Sequence, residues 1–200
     1  MPRAGLTRQV VIAEAAALAD LIGYDALTLT ALAERVGVAV PSLYKHVASL
    51  DDLRRGVAVL ALRELGEALV VGLSSAPGRP GAPGRTPLHA LADAFRSFAT
   101  DHPGRYAATV RAVTADDPEP SAAAEAALAT VLDVLGAMGI RGDAAVHAAR
   151  ALRATLHGFV ALEQAAGFGL PQDVDESFAR SVAWLEQGLM ASTSGPPDAR

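Results

Sequence analysis

A chain of 200 residues that is 51% hydrophobic and 20% charged can bury a real core, and fits one or two small globular domains rather than a disordered polymer. It contains no cysteine, which excludes disulfides, thiolate zinc sites, iron–sulfur clusters and thiol nucleophiles and suits a reducing cytoplasm. Its net charge of −5 excludes a uniformly basic surface, so contact with nucleic acid would have to rest on a local patch.

The N-terminal stretch has an apolar centre, but Glu14 and Asp20 interrupt it and no run of about eighteen uncharged apolar residues follows, so neither a signal peptide nor a membrane span is predicted. From Thr7 to Ile22, Val10, Val11, Ala13, Leu18, Leu21 and Ile22 recur at helical spacing, and Gly23 supplies a stop. Thr28 or Thr30 can cap a second helix of about two turns, whose apolar face is Leu29, Leu32, Ala33 and Val36 and whose end is Gly37. Pro41 suits the first turn of a third helix, where its fixed φ and missing N–H do no harm; Leu43 and Val47 point inward, and the helix should end near Val47. Ser49 caps a longer fourth helix, in which Leu50, Leu53, Val57, Leu60, Leu65 and Leu69 keep the period.

Residues 74–86, SSAPGRPGAPGRT, have no apolar periodicity and read as a flexible loop. Four further helical patterns follow, Thr86 to Thr100, His102 to Ala115, Ser121 to Met138 and Asp143 to Ala166, broken at Pro103, at Pro118 and Pro120, and at Gly139 to Gly142. A last one runs from Val174 to Met190. No segment alternates with period two beside β-branched clusters, so the fold class is all-α with about nine helices.

The second and third helices with the turn at Gly37 form a helix-turn-helix, whose second helix is expected in the major groove. Charge supports the placement. Over residues 1–55, Arg3, Arg8, Arg35, Lys45, Arg54 and Arg55 balance Glu14, Asp20, Asp25, Glu34, Asp51 and Asp52, and the excess of acid lies beyond them. From Val36 to Leu50 there is no carboxylate, while Tyr44, Lys45 and His46 can sit against phosphate without repulsion. Each has a plainer reading: Tyr44 as a core aromatic, His46 as a helix-end residue complementing the dipole, Lys45 as a solvated charge.

The run TLTALAERVGVAVPSLYKHVASLDDL, Thr28 to Leu53, resembles the signature of the tetracycline-repressor (TetR) family: a Thr-capped helix, Ala-x-x-x-Gly-Val, then a small polar residue before Leu-Tyr-x-His. The resemblance implies a DNA-binding domain over 1–48, in which Tyr44 and His46 contact phosphate, Thr30, Val40, Pro41, Ser42 and Lys45 face the groove, and Thr28 joins them at the start of its helix. Val40 and Pro41 can touch only thymine methyls, Ser42 reads several bases, and Lys45 meets guanine or phosphate, so the operator cannot be spelled out. Leu50 stands where the family has a phosphate-binding lysine, and Val47 where it commonly has phenylalanine.

Beyond it, residues 49–200 resemble the family's helical effector-binding and dimerisation domain. HPGRYAAT from His102 and the run LRATLHGFVALEQAAGFGLPQDVDESF are similar to a subgroup with a Trp-x-x-x-His-Gly motif; His157 and Gly158 match its end, and Arg153 occupies the tryptophan position. The resemblance implies a homodimer through helices near 143–166 and 174–191, where Ala144, Ala148, Ala151 and Ala161 permit close approach. It implies a double-stranded, palindromic DNA operator with half-sites about 34–36 Å apart. It further implies a small-molecule effector held near Phe95, Phe98, Tyr106, Val110, Met138, Arg153, His157 and Phe168, the apolar and amphipathic ones of which also fit ordinary core. At 100° per residue His147, Arg150, Arg153, His157 and Gln164 form one polar stripe, facing solvent, a wet cavity or an interface, opposite Leu152, Leu156 and Phe159.

An enzyme is the first rival, using His147, His157 and Glu163 as acid or base, but nothing spaces them as a constellation. Two histidines ten apart make no His-x-x-x-His metal pair, and Gly136, Gly139 and Gly142 follow a helix rather than a strand, so neither a metal, a cofactor nor a nucleotide loop is expected. A protein-binding helical module is the second rival. It leaves the acid-free turn and helix unexplained.

Overall fold

The computed structural model describes residues 6–75, 86–110 and 118–193. Among the described residues there are nine helices and no strands: α1 (Arg8–Ile22), α2 (Leu29–Val36), α3 (Val40–Leu43), α4 (Leu50–Ser75), α5 (Pro87–Asp101), α6 (Pro103–Val110), α7 (Pro118–Ala137), α8 (Gly142–Gln164) and α9 (Val174–Thr193). They fall into two compact units that interleave along the chain. One comprises residues 1–66 with 101–127, the other 67–100 with 128–200.

In the first unit the ends of α1 and α2 follow from their caps. Thr7 accepts from the Val10 amide at 3.2 Å and Thr28 from the Ala31 amide at 3.1 Å, each filling one orphan donor of a first turn. Gly37 closes α2 at φ 71°, a left-handed conformation that a Cβ would penalise, and the Val38 amide reaches back to the Ala33 carbonyl at 3.0 Å. The core of the unit joins Val11, Ala15, Ala19, Leu27, Leu32, Leu43, Val47, Leu53 and Val57. The α6 helix returns to this core against α1. Gly104 seats so closely that a Cβ there would lie 2.0 Å from the Ala19 carbonyl carbon, and Asp20 Oδ1 accepts from the Arg105 amide at 2.8 Å. The Arg105 side chain lies between Asp20, at 3.2 Å, and Glu64, at 3.4 Å.

The second unit is centred on Leu88, Leu91, Phe95 and Phe98 of α5, Leu152, Leu156 and Val160 of α8, and Phe178 and Val182 of α9, all buried. Arg96 ties three helices together. Its Nε donates to Glu163 at 2.9 Å, and Nη2 meets both Glu163 and Asp175, the latter at 2.7 Å. Its guanidinium also lies 4.8 Å from the Phe178 ring centre and 5.8 Å from that of Phe159. Phe159 stacks on Phe168 at 4.7 Å. At the end of α8 the Gly167 amide bonds the Leu162 carbonyl at 2.7 Å and the Ala166 amide that of Glu163 at 3.0 Å, which places Ala166, an alanine, at φ 52°.

Most boundaries fall within a residue or two of expectation; α9 runs three residues past its expected end, to Thr193, and three other places differ. The third helix is a single turn, Val40–Leu43, with residues 44–46 in a turn: the His46 and Val47 amides both converge on the Leu43 carbonyl, at 2.8 and 3.0 Å, tightening the helix to its end. Val47 still points inward, 2% exposed. Pro118 and Pro120, expected as breaks, lie in the first turn of α7, where no intrahelical N–H is needed. Of the stretch expected as a loop, Ser74 and Ser75 belong to α4 and Thr86 accepts at the start of α5, from the Ala90 amide at 3.1 Å; residues 76–85, like the 111–115 end of the sixth pattern, lie outside the described residues. Residues 119–137 form a helix long and apolar enough by composition to cross a membrane, with mean hydropathy 1.2. It carries Glu125 and Asp133, and its Val134 and Leu135 are buried within the fold.

Candidate nucleic-acid interface

The surface of interest is built by α2, α3 and the turn after it. With no side-chain cap at Ala39, Pro41 in the first turn starts α3, and burial of Leu43 and Val47 fixes its rotation. The remaining side chains are turned outward. Thr28, Thr30, Pro41, Tyr44 and Lys45 are exposed, while Val40, Ser42 and His46 are half-buried. Tyr44 is 56% exposed, which removes the core-aromatic reading: a phenol ring left in water on a small domain has no packing reason to be there. All eight residues named from the sequence thus lie on the two short helices and their following turn, and none is fully buried.

The flanks of this surface are pinned by ion pairs. Arg35 Nε meets Glu14 at 2.8 Å, joining α2 to α1. Arg8 meets Asp52 through two hydrogen bonds of 2.7 and 2.8 Å and also donates to the His46 carbonyl at 2.9 Å. The Arg8 guanidinium holds the Asp52 carboxyl down at about 2, against the opposing cost of partial burial, with help from the Ala48 amide. Tyr24 and Arg54 lock the chain between α1 and α2: the phenol donates to the Arg54 carbonyl at 3.2 Å, and Arg54 donates to the Asp25 and Leu27 carbonyls at 3.0 and 3.1 Å. Leu50 is half-buried and packs on the core, so it serves packing.

Two family models match. Residues 11–57 fit "Bacterial regulatory proteins, tetR family", and residues 88–185 fit "Tetracyclin repressor-like, C-terminal domain". An uncharacterized HTH-type transcriptional regulator of Mycobacterium tuberculosis is 39% identical over 197 residues, 96% of this chain and 85% of the relative. The chain belongs to the TetR family of transcriptional regulators. A second relative, an uncharacterized HTH-type transcriptional regulator of Bacillus subtilis, is 30% identical over 190 residues, covering 94% of this chain and 95% of the other. Among solved structures, a Rhodococcus protein of unknown function superposes on this TetR-family chain with TM-score 0.76 at 25% identity, over 94% of this chain and 98% of the other. A variant of TetR from Acinetobacter baumannii, crystallised with minocycline, gives 0.68 at 26%, over 96% and 100%. DNA-binding regulation of transcription is therefore the activity of this TetR-family protein.

The residues named for an effector site differ in burial. Phe95, Phe98 and Tyr106 are buried, Met138, half-buried, packs on the cluster around Leu135 and Ile140, and His157 is half-buried. Arg153, Val110 and Phe168 are exposed, the last on Phe159. Tyr106 and Val110 belong to the first compact unit and the other six to the second. An open cavity of about 680 Å³ in the second unit runs beside α8 and α9 from Ile140 and Arg141 to His147, Ala151, Leu189 and Ser192, and none of the eight lines it. Sequence reasoning missed Arg8, Asp52 and Arg96; their partners lie 44 and 67 positions away, and no local spacing announces such pairs.

Proposed function

We propose that this regulator is a homodimeric repressor, cytoplasmic and without catalytic activity of its own, that holds a palindromic operator and is released by a small-molecule effector. The observation that carries the reading is the outward, carboxylate-free surface of α3 and its turn, with Tyr44 56% exposed beside exposed Lys45. Residues 1–48 act as the reading head, with Tyr44 and His46 on phosphate, Thr28, Thr30, Val40, Pro41, Ser42 and Lys45 toward the groove, and 49–200 as the effector and dimer region. Pairing through α8 and α9 agrees with their exposed apolar side chains, among them Leu162 and Trp184, and with the exposed small residues Ala144, Ala151 and Ala161 of α8. Ala148, the fourth alanine expected there, is buried within the protomer. Effector binding among Phe95, Phe98, Tyr106, Val110, Met138, Arg153, His157 and Phe168 would act by differential affinity for two states.

The test is fluorescence-anisotropy binding to duplex DNA from upstream of the chain's own coding region, and to duplexes enriched from a random pool, at two salt concentrations. Saturable binding that weakens with salt and is lost in Tyr44→Ala, Lys45→Ala supports the reading. Each lost phosphate contact should lower the slope of log affinity against log salt by about 0.9. An intact dimer that enriches no duplex would instead favour the protein-binding module.

A further inference from the structure

The short α3 leaves the turn that bears Tyr44, Lys45 and His46 with little helical backbone of its own to hold it. What holds it comes from elsewhere. Arg8, in the first turn of α1, donates to the His46 carbonyl at 2.9 Å, and Asp52, in the first turn of α4, accepts from the Ala48 amide at 2.8 Å. Arg8 and Asp52 are themselves joined through two hydrogen bonds, at 2.7 and 2.8 Å, so one ion pair grips the backbone on both sides of the buried Val47. Ser49 completes the arrangement by accepting from the Asp52 amide at 3.0 Å. A planar guanidinium can give a carboxylate two parallel N–H bonds and still reach a carbonyl with the second N–H of one of the same nitrogens; an ammonium cannot offer that fork.

We infer that Arg8 and Asp52 form a positioning pair for operator recognition, setting the pose of the Tyr44–His46 turn rather than touching DNA themselves. The inference rests on the α3 surface being the reading head, and it assigns a role to Arg8, which lies outside the span 11–57 that matches the family's DNA-binding model. It makes a prediction opposite in sign to simple electrostatics. A carboxylate beside a phosphate-binding surface repels DNA, so charge alone says that Asp52→Asn tightens binding. Positioning says that it loosens binding, because the neutral amide cannot hold the fork and the turn is released. Likewise a bare charge at position 8 survives in Arg8→Lys, whereas the three-contact geometry does not.

The experiment measures affinity of wild type, Arg8→Lys, Asp52→Asn and the double variant for a duplex that the wild-type chain enriches from a random pool, and for an unrelated duplex. Folding is checked by circular dichroism, and all binding is read well below each variant's melting temperature. Expected is a loss of about tenfold on the enriched duplex in each single variant, no further loss in the double variant, and binding to the unrelated duplex within about threefold. Equal or tighter binding by Asp52→Asn overturns the proposal, as does wild-type affinity in Arg8→Lys; the latter decides alone if Asp52→Asn does not fold. A wild-type chain that enriches no duplex overturns the proposal together with the reading head on which it rests, an outcome distinct from variants that bind normally.

Discussion

The close seat of α6 on α1 makes Gly104→Ala the sharpest test of the packing. A methyl at position 104 would sit 2.0 Å from the Ala19 carbonyl carbon, 2.1 Å from its oxygen and 2.4 Å from the Asp20 amide, where ordinary contact begins at 3.4 Å. All three atoms are backbone of α1, so no side chain can swing away and one helix must move by more than an ångström. Overpacking of this kind costs about 1–3 kcal/mol where neighbours can yield. Here they cannot, and the displacement also stretches the Asp20 bond to the Arg105 amide. Helix propensity pulls the other way: inside a helix alanine is favoured over glycine by about 1 kcal/mol. We expect a net loss of about 2–4 kcal/mol, which for a chain of this size lowers the melting temperature by roughly 5–15 °C. Thermal unfolding followed at 222 nm, at matched protein concentration, measures it. A variant that melts at or above the wild-type temperature would mean that propensity alone governs the site, and would refute the packing argument.

Three further outcomes are expected. Asp52, lowered to about 2 by Arg8, contributes stability that is present above its ordinary value near 3.9 and is lost as pH falls through about 2. Asp52→Asn should therefore cost about 1–2 kcal/mol in urea melts at pH 7, reduced from the full shift because Arg8 is 42% exposed, and almost nothing at about pH 2. Ala166→Gly relieves an alanine held at φ 52° and should raise stability by about 0.5–1 kcal/mol in chemical denaturation; an unchanged midpoint would argue against the left-handed cap. Arg96→Met leaves Glu163 facing Asp175 without a cation and should cost about 2–4 kcal/mol, of which Glu163→Gln in the same chain should recover a measurable part.

Elements were far more legible in the sequence than the contacts between them. Gly37 marks the end of α2, and Thr28, one of the two threonines able to cap it, marks its start, because caps act on their own helix: the hydroxyl serves an amide three residues on, and the glycine supplies a φ of 71°. The same local logic stopped short at α3, where the inward spacing of Leu43 and Val47 is right while the chain between them is mostly a turn. Pro118 and Pro120 look like breaks in the sequence yet begin α7, because proline's penalty depends on whether it falls in the first turn or a later one. Contacts made across many residues left no such trace. Arg8 and Asp52 entered the charge balance of residues 1–55 as cancelling in sum, whereas in the fold they cancel as a pair. Gly104 beside Pro103 looks like punctuation between helices, and only the approach of α1 shows why a side chain is excluded there. The polar stripe of α8 divides: Arg150, Arg153 and His147 are exposed, His157 is half-buried, and Gln164 donates to the Ala99 carbonyl at 2.8 Å.

Trp184 is the one tryptophan in the sequence and it stands on α9 with 66% of its surface exposed, one turn before Gly188. An indole so placed emits as it does in water, and its emission shifts to shorter wavelength when a neighbouring surface takes its place in an apolar contact. The molecule thus carries an unlabelled optical reporter on the very face through which two copies are proposed to pair. Dilution followed by fluorescence would read the association constant of that face directly, without a tag that could disturb it.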